Sequence, residues 1–258
     1  MYMKRLLVIA IVIFMIFTFT ACGSKVSKNN ILNNENITET KSSLSGENES
    51  TFTIETIDIS DIENGKTYQE IKYPVIEYKG DDNLSKSIGE LNKKLKELAE
   101  KFKVDNKESI RDYIKELKNE DAMYSYDSSI TCTCHNDKYL SFLNSTYIFT
   151  MGAHGSTIEN GYTYDVKTGK LLTLKDFVKD IEELKKFLKD WVKNQNDDMF
   201  YNEADSNIDM YFTGEYELQF ALMNGELKVI FQQYDIAPYA VGIIEIPIDK
   251  SLLKVELN

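Results

Sequence analysis

Tyr147-Ile148-Phe149-Thr150-Met151-Gly152-Ala153-His154-Gly155-Ser156-Thr157 sets an aromatic strand against a small-residue turn that holds one of two histidines in 258 residues. The bend predicts two consecutive halves, the first closing on a strand that ends at Thr150 and the second opening near Tyr162. A histidine framed by glycines has three readings. It marks a place where the backbone bends and the imidazole bonds a carbonyl, it contacts a ligand, or it serves as an exposed general base.

Upstream of the bend, Tyr124 to Cys134 and Tyr139 to Thr150 alternate as strands joined by His135-Asn136-Asp137-Lys138, which is hairpin chemistry. On a flat strand Ile130, Cys132 and Cys134 share one face, with Thr131, Thr133 and His135 on the other. The two cysteines then read as small core residues, as a strained disulfide favoured by an oxidising exterior, or as part of a weak metal motif. Leu84, Ile88, Leu91, Leu95, Leu98 and Phe102 form one helical stripe, and Ile110, Tyr113, Ile114 and Leu117 mark a second helix from Lys107. Before the helices, Thr51 to Ser60 reads as a strand bulged near Glu55. Lys72 to Tyr78 reads as an extended edge segment that tolerates Pro74.

Downstream, Tyr162 to Val166 is a strand, and Lys167-Thr168-Gly169-Lys170 a turn whose glycine takes a positive φ. Asp176 sits at a helix start, and Ile181, Leu184, Phe187, Leu188 and Trp191 fall on one helical face. Asn194 to Gly214 reads as a polar, acidic and aromatic loop. Its Asp205-Ser206-Asn207-Ile208-Asp209 opens like a calcium loop, but Met210 replaces the sharp-turn glycine and Tyr216 the bidentate glutamate, which argues against an EF-hand. Tyr216, Leu218, Phe220 and Leu222, then Asn224-Gly225, then Leu227, Val229 and Phe231 spell a hairpin with one face buried, and Val241 to Ile248 adds a third strand. The pattern predicts an α+β fold: antiparallel sheets with helices packed on one face, in two small consecutive α/β halves.

At the amino end Lys4 and Arg5 precede an apolar run from Leu6 to Phe17, then Phe19-Thr20-Ala21-Cys22. The run is shorter than the roughly 20 residues a spanning helix needs, so a processed signal is expected. Phe19 to Cys22 resembles a bacterial lipobox, which implies lipidation at Cys22 and anchoring at the extracytoplasmic face of the membrane. From Gly23 to about Ser50 the chain is polar and low in apolar content, a tether of roughly 30 Å mean span. Removing Lys4 and Arg5 with the signal takes the formal charge from −12 to −14. Such a surface repels nucleic acid and favours cationic partners, or simply maintains solubility.

No metalloprotease, serine-hydrolase, phosphate-loop or zinc-cluster motif is present in the sequence, and no cofactor or metal is expected from it. The alternative is an envelope hydrolase acting on peptidoglycan or an ester, with His154 assisted by Asp165 or Glu159.

Several segments carry a resemblance: Tyr139-Leu140-Ser141-Phe142 through Tyr147, Met151-Gly152-Ala153-His154-Gly155, Tyr164 to Lys170 with Leu172 to Phe177, and Tyr234-Asp235-Ile236-Ala237-Pro238-Tyr239-Ala240-Val241-Gly242. In this order they resemble the paired DUF4163 (PdaC-type) and DUF3298 domains, with Met151 standing where a glycine is more usual. With the signal at 1–21 and the tether at 22–50, the resemblance places a DUF4163-like domain at 51–155 and a DUF3298-like domain at 156–258. It extends to the extracellular region of anti-sigma factors of the RsiV type, which bind lysozyme. It implies a non-enzymatic cell-envelope module that binds a peptidoglycan fragment, another cell-wall component or a lysozyme-like cationic protein. The residues expected to contact such a ligand are His154, Tyr201, Glu203, Asp205, Asp209, Tyr211 and Phe212, because interfaces favour aromatics and this stretch pairs them with acids.

Overall fold

Nine strands and four α-helices are built from the described residues of the computed structural model, which are 51–117, 123–195, 199–214 and 216–257. The expected signal, Cys22 and the tether lie outside them. All described residues fall in one compact unit, Asn48–Asn258. Among them, no helix is long and apolar enough to cross a membrane.

The chain begins with β1 (Phe52–Asp58), β2 (Asp61–Glu63) and β3 (Lys66–Tyr78). β1 pairs with β3 in unbroken antiparallel register, and the bulge expected near Glu55 lies instead between Asp61 and Ile62 of β2. The long helix α1 (Asp82–Leu117) then carries the chain back to β4 (Tyr124–His135), which pairs parallel with β3 from Gln69↔Tyr124 to Lys72↔Asp127. A helical crossover returns the chain in its starting direction, so this pair departs from the all-antiparallel expectation. β4 continues antiparallel to β5 (Tyr139–Phe149), and β5 to β6 (Ser156–Asp165), giving the order β1-β3-β4-β5-β6. The first sheet therefore runs through the expected handover at 155/156. The bend at His154 is the turn of a β5–β6 hairpin, because the polar-aromatic stretch from Ser156 continues the alternation before Tyr162.

One helix replaces the expected two. No glycine or proline interrupts Lys103 to Lys107, and Asn106 occupies the stripe between Phe102 and Ile110, its Nδ2 donating to the Phe102 carbonyl at 2.8 Å. Ile110 is fully buried. Leu98, by contrast, is 43% exposed and Ala99 takes the core position, since a straight helix drifts away from heptad spacing. Leu84, Ile88, Leu91 and Leu95 pack on Ile76, Ile130, Leu140, Phe142, Tyr162 and Tyr164. Where β3 diverges from β4, Asn92 of α1 takes over the pairing: it accepts from Ile76 N at 2.9 Å and donates to Ile76 O at 2.8 Å.

After β6 come α2 (Leu174–Phe177), α3 (Ile181–Lys193), α4 (Ala204–Phe212), then the second sheet β7 (Gln219–Met223), β8 (Glu226–Phe231) and β9 (Ile244–Pro247). The β7–β8 hairpin turns at Asn224-Gly225, both with positive φ. One face of this sheet packs Phe220, Leu222, Leu227, Val229 and Phe231 against Leu184, Leu188, Ala204 and Ile208 of the helices. The other face buries Ala221, Met223 and Ile230 with Leu143 of β5, so both faces are covered rather than one. Helices accordingly cap the two outer sides of a two-sheet stack.

The stretch expected as a loop from Asn194 folds as α4 over Ala204–Phe212, since Ala204, Ile208 and Tyr211 recur at helical spacing toward the core. The two cysteines also part company. A bulge pairs Cys132 with Phe142 and Cys134 with Ser141, so Thr133 is the extra residue and the thiols point to opposite faces of the sheet. Cys132 packs in the α1 core and Cys134 in the core of the second sheet, and both thiols are free. Burial pushes the Cys132 thiol up to about 11.

Thr173 and Asp176 form the start of α2. Asp176 Oδ2 accepts from Thr173 N and Oγ1 at 2.8 Å each, while Lys170 Nζ meets Oδ1 at 2.9 Å. The Lys170 ammonium, then the Thr173 amide, hold this carboxyl at about 2 against an ordinary 3.8. A depressed carboxyl stabilises the fold above its unfolded value, and that contribution disappears as pH falls from near 4 toward 2. Asp176→Asn is expected to lower stability at pH 7 and to lose most of that deficit near pH 2. Urea unfolding at the two pH values measures it, and an equal loss at both would overturn the assignment.

Candidate functional site

Two loops carry the motifs singled out in the sequence, one from Thr150 to Gly155 between β5 and β6, the other following β8. They meet at the surface. The His154 ring stacks on Tyr239 with centroids 3.8 Å apart and planes 22° apart, and Tyr234 follows at 5.6 Å and 34°. His154 Nδ1 lies 2.9 Å from the Gly155 carbonyl, and the Tyr239 hydroxyl donates to the same oxygen at 3.0 Å. His154 is exposed and Tyr234 is 51% exposed. Of this row, His154 and Tyr239 share one carbonyl, His154 and Tyr234 face solvent, and Tyr239 is half-buried.

The row is held from behind. β6 is an edge strand, and its outward amides are met by glutamine side chains from the second sheet's side instead of another strand. Gln233 Oε1 accepts from Thr157 N at 2.9 Å, and Gln219 Oε1 accepts from Gly161 N at 3.3 Å. Gln232 accepts from Glu159 N and donates to Glu159 O, each at 2.8 Å. The edge is closed to further strands and the second loop is pinned to the first. Asp235, raised by burial, accepts from Gln232 N and is met by the Tyr211 hydroxyl, while its carbonyl accepts from Asn207 Nδ2 at 2.7 Å. Tyr201 N donates to Ile236 O at 2.9 Å.

Backbone strain gathers at the same place. Four non-glycine residues take a positive φ among the described residues: Asn64 and Asn224, a type that tolerates it, and Met151 and Tyr234, one in each loop of the row. Each of the latter two costs about 1 kcal/mol or more, a cost typical of functional loops. Met151 offsets it by packing against Tyr68, Ile110 and Tyr124. Tyr234 has no such burial. Tyr234→Gly is expected to raise stability by about 0.5–1 kcal/mol while removing one ring of the row. A higher urea midpoint at unchanged slope would confirm the strain, and a lower one would show that the tyrosine is held by favourable contacts.

The structure disperses the residues expected to form an acidic-aromatic contact surface. His154 and Tyr201 stand at or beside the row. Tyr211 is a brace, edge-on to Phe231 at 5.5 Å, and Phe212 lies under Lys185 Nζ at 5.8 Å. Glu203 precedes α4 and is exposed. Asp205 pairs with Lys193 and Asp209 with Lys189, each at 2.6 Å, so the helix pair neutralises them. Neither carboxylate imagined beside His154 orients it. Asp165 accepts from Thr168 N and Oγ1 at 2.7 and 2.8 Å at the far end of β6, about 30 Å along the strand by its rise per residue. Glu159 is raised by burial and then by the nearby Glu245 charge. Among the described residues no group of three or more His, Cys, Asp or Glu could hold a metal ion. Tyr234 and Tyr239 were legible as motif residues but not as contacts, because only folding stacks them on His154.

Comparison with known proteins adds the family. Residues 62–157 match the family described as Deacetylase PdaC, and residues 173–251 match Protein of unknown function (DUF3298). The chain carries a PdaC domain followed by a DUF3298 domain. His154 falls in the PdaC match and Tyr234 and Tyr239 in the DUF3298 match, so the ring row spans the pair. Two crystal structures share the fold. A DUF3298 family member from Bacteroides fragilis is 16% identical, with TM-score 0.54, covering 80% of this chain and 94% of that one. A DUF3298 family protein from Pseudomonas aeruginosa is 18% identical, with TM-score 0.52, covering 80% and 96%. A comparison with curated proteins returned no match.

Proposed function

We propose that this chain is a non-enzymatic binding module of the cell surface, lipid-anchored through Cys22 on the extracytoplasmic face of the bacterial membrane. Its ligand is a cell-wall component or a lysozyme-like cationic protein, and its contact surface is the His154–Tyr239–Tyr234 row. The observation that carries this reading is the stack itself: His154 and Tyr239 are fixed by a shared carbonyl, Tyr234 stands at a positive φ beside them, and the His154 and Tyr234 rings are left exposed at the surface. The lipobox-like segment and the acidic net charge support the location and the partner's sign. Titration with lysozyme and with soluble peptidoglycan fragments, at low and high salt, tests it. Binding to one of them that is lost in His154→Ala, with Tm retained, is the expected result; no binding to either would falsify the proposal.

A further inference from the structure

We propose that the outer edge of β1 is a second binding surface, which takes an extended cationic segment of a partner protein as one further strand of the first sheet. β1 and β6 are the two ends of that sheet, so this edge is distinct from the one beside the ring row. The backbone register decides which groups it offers. Lys79 N donates to Thr51 O at 2.8 Å and Ile59 N to Ile71 O at 3.0 Å, so Thr53, Glu55 and Ile57 bond inward to β3. Phe52, Ile54, Thr56 and Asp58 therefore turn their N–H and C=O groups outward, and among the described residues no strand pairs with them.

The other edges are closed. β6 meets glutamine side chains, and Leu222 N of β7 donates to Ser141 Oγ at 3.1 Å with the Phe220 carbonyl set against Gly161. β9 is four residues long and ends in Pro247, which has no donor. β1 carries no proline, lysine or bulge, and Thr53, Ile54, Glu55 and Thr56 are all exposed. Its charge selects the occupant. No Lys or Arg occurs from Thr51 to Gly65. Asp61 and Glu63 are paired with bases of α1, but Glu55 and Glu77 make no ion pair among the described residues. These two glutamates are diagonal neighbours on one face of the β1–β3 pair. A segment with lysine or arginine at every second residue answers that face, while β-branched residues between them pack on Ile54 on the other. A second copy of this chain does not fit: the two-fold that overlaps the whole of β1 is centred on Glu55 and sets two glutamates directly opposite each other.

The probe is an acetylated, amidated peptide of alternating lysine and valine, long enough to span β1, titrated into the full chain in detergent and followed by calorimetry and amide hydrogen exchange. Binding should weaken with salt, slow exchange at Ile54 and Thr56, and fall about tenfold or more in Thr56→Pro and in Glu55→Lys while Tm is kept. The proline deletes an outward donor and leaves the inward ladder to β3 intact. Binding that falls in Glu55→Lys but persists in a folded Thr56→Pro is charge attraction without a strand and overturns the inference, as does no binding at all. If Thr56→Pro unfolds, exchange in the parent chain decides: protection of Ile54 and Thr56 by the peptide supports the added strand, and its absence overturns it. Dimerisation of the parent chain, read by light scattering and lost in Thr56→Pro, would assign the edge to a second copy and likewise overturn it. The ring row and this edge stand or fall separately.

Discussion

Gly161→Ala is expected to break the junction between the two sheets, costing about 3 kcal/mol and lowering Tm by about 10 °C. A methyl group at this position would sit 1.7 Å from the Phe220 carbonyl oxygen and 2.6 Å from its carbon. Both are backbone atoms of the second sheet's first strand, so no side chain can rotate away. The strands must separate, and with them the layer that buries Ala221, Met223 and Ile230 against Leu143. The Gly161 amide would also lose the Gln219 side chain that caps it. Gly89→Ala supplies the contrast, since it lies in α1 with open space around the added methyl. That change should stabilise by about 0.5–1 kcal/mol. Differential scanning calorimetry of the two variants measures both, and equal Tm values would sink the close-packing argument.

Gly169→Ala should cost a similar amount for a different reason. The turn after β6 holds Gly169 at φ +67, and its α-carbon faces the start of α1, where an added methyl would lie 2.5 Å from the Asn83 carbonyl carbon and 2.7 Å from Leu84 N. Ser87 Oγ donates to the Gly169 carbonyl at 2.5 Å, which locks the turn onto the helix. Gly65→Ala separates the two contributions, because Gly65 has a comparable φ of +77 but nothing within 4 Å. The loss for Gly65 reports backbone strain of about 1 kcal/mol. The excess for Gly169 reports contact with α1, and urea midpoints for both variants test it; an equal loss at the two glycines would remove the helix contact from the account.

Both sites explain what was legible beforehand. Gly169 announced itself through Lys167-Thr168-Gly169-Lys170, a turn that local chemistry dictates whatever packs on it. Gly161, between Asn160 and Tyr162 in a strand, showed nothing of Phe220 because its partner lies nearly sixty positions away in the chain. The same division holds at the candidate site. His154 drew notice through its glycines and its family motif. The acidic stretch drew notice through composition, yet Asp205 and Asp209 are neutralised by Lys193 and Lys189 of the preceding helix, a pairing that composition cannot reveal.

By itself the sequence determined the α+β class, the β4–β5 and β7–β8 hairpins, the α1 stripe and the tandem of domains, because periodicity and turn residues act over a few positions. Tertiary structure alone decided the continuation of the first sheet through β6, the opposite faces of Cys132 and Cys134, and the burial of the second sheet on both sides. It alone stacked His154 of one domain on Tyr239 of the other. These depend on which surfaces meet across long loops, a choice set by shape complementarity and shared burial between distant segments rather than by any local preference.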